Sequence, residues 1–305
     1  LTNSTNTIVY PRTVSLSNFP KMLTGSAPGD DGNLILEKED MEILISKNPK
    51  IQKFLKKYIG AQELIKNTYR YCIHITEENM KEAYEISELN ERFQMVKKFR
   101  LASKKLATNK KAKTPHFFDE DRYEKAQFIL VPKVGSERRE YLPVGYFDSS
   151  YLPSNTAKLI YNIELWFFSI LSSKMHIVWI KAVAGRLKTD MAYSNTLCYN
   201  TFPFPTISNQ RKEELTQCTL KIIDERLKHS EKTLAQLYDP DKMPEGLKEA
   251  HHQNDLAVER CYRGTPFSSD EERLEYLFKL YEKMIQEEKD KDTLFAKEKK
   301  TRKRK

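Results

Sequence analysis

The decapeptide GRLKTDMAYS, residues 185–194, places two opposite charges two positions apart: Lys188 offers an ammonium donor and Asp190 a carboxylate acceptor. The stretch follows an apolar helical run, and two readings are open. Either it is a solvated helix-ending turn whose ion pair contributes little, or it is a matched donor and acceptor addressed to a ligand. A second polar cluster lies in VPKVGSERREYLPVG, where Lys133, Ser136, Arg138 and Arg139 surround a turn between two expected strands. Backbone N–H groups, a hydroxyl and guanidinium forks in such a turn can hold phosphates. Equally, Glu137 and Glu140 could pair the arginines on a solvated tip.

Other chemistry is poorly supplied. The chain has no G-x-x-x-x-G-K-[ST] phosphate loop, no G-x-G-x-x-G, no G-x-S-x-G and no H-E-x-x-H, and only 9 glycines in all. His251 and His252 are adjacent and so point to different sides of a helix, which argues against metal ligation. Pro240-Asp241 resembles the start of a metal-dependent nuclease motif. It sits in a loop, however, and the D/E-x-K candidate, Glu287-x-Lys289, is distant and helical, so a nuclease site is rejected. The four cysteines, Cys72, Cys198, Cys218 and Cys261, are widely spaced and read as reduced and packed.

The elements that position these groups follow from periodicity. Residues 1–20 read as a strand-bearing linker, GSAPGDDGNLIL as a turn before an apolar strand, and 38–58 as a helix. RYCIHI (70–75) is a short β run, and a long helix is expected over 77–107. QFILVPKV (127–134) and REYLPVGYFD (139–148) form a hairpin whose prolines mark edges or bulges. Residues 164–184 read as a buried helix holding His176 and Trp179 in the core, with Gly185 as its C-cap and TLCYN (196–200) as a strand. Helices are expected at 209–228, 231–238, 244–262 and 270–289, the last opened by Ser269 and Glu272 as a capping box. The fold class is α+β: a mixed α/β domain, a boundary near 206, then a small all-helical domain.

Composition limits the class further. The formal net charge of +9 over 305 residues is concentrated in two segments. Residues 97–113 carry eight cations and no anion, and residues 296–305 carry seven cations and one anion, leaving a slightly acidic body of −5. Such segments suit a polyanion, because lysine and arginine near phosphates release condensed counterions. The terminal one reads as a solvated, disordered tail. No apolar run reaches the length of a membrane span, and no signal-peptide layout opens the chain. A cytoplasmic protein, with no membrane partner, is expected. The start at Leu1, in a polar turn-like segment, suggests a piece of a longer polypeptide.

Taken in order, PKMLTGSAPGDDGNLIL, YIGAQELI, RYCIHI, TPHFF, LVPKVGSERREYLPVGYF, LSSKMHIVWIKAVAGRLKTDMAYS, YNTFPFP, LAQLYDPDKMPEGLKEAH and DEERLEYLFKLYE resemble the C-terminal half of the MmeI-like type II restriction-modification enzymes. These bacterial single chains fuse a nuclease, an adenine methyltransferase and a target recognition domain. The resemblance covers about residues 20–289. It implies a linker from a preceding methyltransferase domain at 1–19, a DNA target recognition domain at 20–206, a C-terminal helical domain at 207–289 and a basic tail at 290–305. S-adenosylmethionine and the Asn-Pro-Pro-Tyr motif belong to the preceding domain. No N-P-P-Y occurs here, so this chain is expected to bind double-stranded DNA and catalyse nothing by itself.

The resemblance also assigns Lys188 and Asp190 to the base pair beside the methylated adenine. Donor and acceptor chemistry agrees: guanine presents only acceptors in the major groove, O6 and N7, and cytosine presents its N4 amino donor. Lys133, Ser136, Arg138, Arg139, Lys174, Arg186, Tyr193 and Ser194 are expected to contact the DNA backbone or to position the loops. Some relatives carry a basic residue where this chain has Ala192. Two other classes fit less well. A specificity subunit of a multi-subunit methyltransferase would show two similar halves, and no internal repeat is found. A general RNA-binding or structural protein would bind without dependence on duplex sequence.

Overall fold

The structure, a computed structural model, describes residues 7–187 and 190–302. Its strands in chain order are β1 (Leu23–Thr24), β2 (Ile35–Leu36), β3 (Leu55–Ile59), β4 (Arg70–Ile73), β5 (Phe128–Pro132), β6 (Val134–Gly135), β7 (Gly145–Phe147), β8 (Tyr151–Pro153), β9 (Ala157–Tyr161), β10 (Gly185–Leu187) and β11 (Asp190–Ala192). The α-helices are α1 (Lys38–Lys47), α2 (Ala61–Lys66), α3 (Met80–Tyr84), α4 (Ser87–Leu101), α5 (Leu106–Lys110), α6 (Trp166–Leu171), α7 (Lys174–Val183), α8 (Asn209–Leu227), α9 (Leu234–Leu237), α10 (Glu245–Glu259) and α11 (Asp270–Arg302).

Three sheets result, ordered β1-β9-β5-β7, β2-β4-β3-β8 and β10-β11-β6. The run FILVP of β5 is buried throughout, as suits a strand covered on both faces. The expected hairpin is present, with Phe128 opposite Phe147 and Leu130 opposite Gly145. Pro132 lies beyond the last residue that β7 pairs, where its missing N–H costs that side nothing. The largest core begins at Ile129 and Val131, passes through Phe167 and Trp179, and continues into Leu215, Ile222, Ala257, Val258 and Leu277. The helices after residue 206 therefore share one core with the mixed α/β part. His176 and Trp179 are fully buried in it, as their apolar neighbours in sequence imply.

Several elements differ from expectation for local reasons. Over 38–58 the helix stops at Lys47. Asn48 caps a 3-10 turn that opens at Pro49, and β3 begins at Leu55. The 77–107 helix is broken at Glu85 and again after Leu101. Residues 7–20 contain no strand; instead Arg12 and Leu16 donate backbone hydrogen bonds to the carbonyls of Thr196 and Asn200 (2.9 and 2.8 Å). Those acceptors lie in or beside a π-helical turn, Asn195–Tyr199, which stands in place of the expected strand. Gly185 is not a left-handed C-cap but the first residue of β10. Helix α11 passes residue 289 and runs to Arg302, since no Gly or Pro interrupts its alternation of Glu and Lys, so the expected tail is helical to that point. At its start Ser269 accepts from the Glu272 N–H (3.2 Å), while the Glu272 carboxylate reaches the Ser268 N–H instead of closing the box on Ser269 (2.7 Å).

One cation of the 97–113 segment is not on the surface. Arg100 is 0% exposed, and its guanidinium donates to the carbonyls of Pro28, Gly29, Lys111, Thr114 and Phe117 at 2.7–3.1 Å. A charge out of water survives only when its donors are satisfied, and here carbonyl dipoles do it. Replacing Arg100 by Leu strands those carbonyls, and should lower unfolding stability by about 3 kcal/mol or more. Urea unfolding measures it. A loss below about 1 kcal/mol would mean that water substitutes for the guanidinium.

Candidate nucleic-acid interface

The sheet β10-β11-β6 brings the two polar clusters of the sequence together. Leu187 opposes Asp190 and Gly185 opposes Ala192 across the β10–β11 hairpin, while Met191 and Ala192 pair with Gly135 and Val134 of β6. Met191 is buried and anchors the hairpin, and the Tyr193 N–H donates to the Lys133 carbonyl (2.7 Å), extending the pairing by one bond. The turn after β6 is closed by the Arg139 N–H on the Ser136 carbonyl (3.2 Å).

Ser136, Arg139 and Asp190 consequently line one open cleft of about 770 Å³, whose opposite wall is Gln62 and Lys66 of α2 with Arg70 of β4. Arg139 is half-buried. Burial draws its pKa down, and the carboxylates of Asp190 and Asp239 act in the other direction. Asp190 thus lies within electrostatic reach of a guanidinium as well as at the cleft surface. The wall supplied by α2 is not among the expected site residues. Its only sequence signal is that Gln62 and Lys66, the first of them in YIGAQELI, stand four residues apart on one helical face.

The remaining candidates fall in other places. Lys133 is half-buried and its pKa is lowered by that burial, with Glu120 opposing the change. Arg138 is exposed and pairs with Asp241 (2.6 Å) of the Pro-Asp dipeptide, and Glu140 pairs with Lys174 (2.9 Å), so both ion pairs reach across the chain to distant segments. The Tyr193 hydroxyl is buried against His176 Nε2 (3.0 Å), and Ser194 accepts from the Thr196 and Leu197 N–H groups to cap the π-helical turn. Both side chains hold the hairpin's exit in place. Lys188 and the side chain of Arg186 lie outside the described residues.

Behind the cleft is a buried carboxylate. Asp255 of α10 accepts from the Tyr141 hydroxyl (2.8 Å) and from the backbone N–H of Lys174 (2.7 Å), the first residue of α7. The Tyr141 ring is stacked on His251 at 4.1 Å, and Arg226 of α8 donates to the Val144 carbonyl (2.7 Å). The helical part therefore grips both the segment after the Ser136–Arg139 turn and the start of the helix that leads to the hairpin. Among the described residues, no group of three metal-ligating side chains occurs, and no helix is long and apolar enough to cross a membrane.

The chain belongs to the MmeI family. The family model described as "MmeI, target recognition domain" matches residues 3–206, and "MmeI, C-terminal domain" matches residues 207–287. It is 42% identical over 287 residues to DNA methyltransferase A of Bacillus subtilis (strain 168), a match covering 94% of this chain and 32% of that protein. It also superposes on the type IIL restriction-modification enzyme MmeI, solved in complex with DNA, with a TM-score of 0.89 and 31% identity over 94% of this chain and 38% of the other. The chain spans about a third of the length of these relatives.

Burial pushes the Asp255 carboxyl up to about 7, and its two hydrogen bonds oppose the change. The neutral acid is thus favoured by folding. The stability this confers is complete below the unfolded value near 4, and is lost as pH rises through about 7. Thermal unfolding from pH 5 to pH 8 should show the wild-type midpoint falling, and Asp255→Asn should remove most of that fall. Identical slopes in the two proteins would assign the pH dependence elsewhere.

Proposed function

We propose that this chain is the sequence-specific double-stranded DNA recognition module of a site-specific adenine-N6 DNA methyltransferase, reading base edges in the major groove. The observation that carries the reading is the juxtaposition of the Ser136–Arg139 turn with Asp190 on one open cleft, in a chain of the MmeI family. An open cleft with donors and two carboxylates, Glu63 paired to Arg70 (3.0 Å) and Asp190, suits the edge of a duplex, where phosphate contacts position and base contacts specify. Transfer of the methyl group belongs to a preceding domain of the parent polypeptide that binds S-adenosylmethionine, and the C-terminal helices hold the recognition elements in register.

Within this reading Lys188 donates to guanine O6 and N7, and Asp190 accepts from the N4 amino group of the paired cytosine. An aspartate facing guanine or a phosphate would be repelled, so the pair distinguishes G·C from its reverse. Arg139, beside Asp190, takes a phosphate when the duplex enters. Ser136, Arg138, Lys133, Lys174 and Arg186 are assigned to the backbone or to loop positioning, and Tyr193 and Ser194 to positioning.

Methylation mapping of DNA from a host producing the parent polypeptide should find N6-methyladenine in an asymmetric site with guanine immediately 3′ of it. Another base at that position removes the Lys188/Asp190 assignment. Exchanging the charges, Lys188→Glu with Asp190→Arg, should move the preference at that pair from G toward C. Removing either side chain alone should reduce discrimination by roughly 1–3 kcal/mol. An unchanged preference in a random-duplex selection returns the pair to a solvated turn.

A further inference from the structure

We infer that the lysine-lined groove between α4 and the segment after α5 is a second DNA-binding surface, gripping the phosphate backbone of duplex beside the site being read. The inference rests on the DNA-recognition reading and adds a surface that the cleft does not include. Lys97, Lys110 and Lys113 line an open groove of about 550 Å³ together with Gln94 and Asn109, whose amides each already donate within the fold, to Asn90 Oδ1 (3.1 Å) and the Leu101 carbonyl (2.8 Å), with a second N–H left over. All three lysines are exposed, and none takes part in an ion pair among the described residues, whereas the neighbouring Lys111 is neutralised by Asp119 (3.2 Å). Between residues 97 and 113 the sequence contains no acid. Ammonium groups converging on one groove, with amide donors between them, match the spacing-tolerant, charge-driven binding that duplex phosphates accept.

The groove is also rigid. The five carbonyls that hold Arg100 include those of Lys111 and Thr114, so the segment bearing Lys110 and Lys113 is fastened to α4, which bears Lys97. The backbone bearing the three cations is held in place, so a ligand has only their side chains left to order. Of the other three carbonyls on Arg100, those of Pro28 and Gly29 lead back toward the cleft: Ser26 bridges Ser154, two residues before the cleft-lining Thr156. Three Cα–Cα steps lead from Ser26 to Gly29, at most about 11 Å of chain. That path ties the backbone beneath the groove to the strand bridge that borders the cleft. Leu101, 54% exposed, gives the groove an apolar wall that would serve a sugar edge or a protein side chain alike. Charge decides between them.

The test compares the full chain with a Lys97→Gln, Lys110→Gln, Lys113→Gln variant that leaves Arg100 in place. Binding to a duplex selected from random sequence, and to an unselected duplex, is followed by fluorescence anisotropy over a range of salt concentrations. The variant should bind both duplexes more weakly by the same factor, roughly tenfold, with the slope of log K against log salt shallower by about 0.9 for each phosphate no longer neutralised. Its preference for the selected duplex should be unchanged, and its circular dichroism melt should match the parent. An unchanged slope overturns the inference, as does a weakening confined to the selected duplex. If the wild-type chain shows no preference among duplexes, the recognition reading itself fails, which is a separate result.

Discussion

The carboxylate of Asp255 is a buried polar contact through which the helical part holds two segments of the mixed α/β part at once. It accepts from the hydroxyl of Tyr141 and the first N–H of α7, and both donors belong to segments that end at the cleft. A helix N-terminus leaves N–H groups without intrahelical partners, and a negative or polar group is favoured there. Ser173 satisfies one of them by accepting from the His176 N–H (3.3 Å), and Asp255, from a different helix, satisfies another. The geometry makes α10 part of the capping of α7. Displacement of α10 would uncap the helix that carries the hairpin and free the ring of Tyr141 at once.

A recognition surface can be built on such short strands for this reason. A pair of three-residue strands has little independent stability in water, and β6 contributes only two residues. Their register is instead imposed from behind, by Met191 and Tyr193 in the core, by His176 under the Tyr193 hydroxyl, and by the Tyr141–His251 stack. Asp190 is only half-buried and lies outside the buried set that fixes the register.

The helical part is the most legible in the sequence because its signals are local. Ser269 caps the last helix where its side chain suggests, Ser208 and Thr233 cap two others, and apolar residues recur at the helical period behind them. What stays hidden depends on partners far along the chain. Leu55–Ile59 reads as helix because Leu55 and Tyr58 continue a helical spacing, yet it is a strand, paired to β4 and β8, once Pro49 has ended the regular helix. Gly185 looks like a helix stop and is a strand start, since Ala192 lies opposite it. In the candidate site, Ser136, Arg139 and Asp190 are visible as polar residues near turns, but their meeting in one cleft requires the β6–β11 pairing over more than fifty residues. Asp255 gives no signal at all: an aspartate in an amphipathic helix ordinarily faces water.

Charge shows the same division between local and long-range information. A net of +9 suggests a basic surface everywhere, but outside two segments the chain is slightly acidic, and one of the eight cations of 97–113 is spent on carbonyls inside the fold. Fields from exposed charges fade within about 10 Å at moderate salt. A polyanion approaching this body is therefore attracted at particular places and not by the molecule as a whole. Attraction confined to a rigid groove carries orientation as well as strength, because a duplex held there has few ways to lie. Under the proposed function, affinity from phosphates and discrimination from base edges reside on separate surfaces, and a change at the β10–β11 hairpin leaves the charged groove untouched.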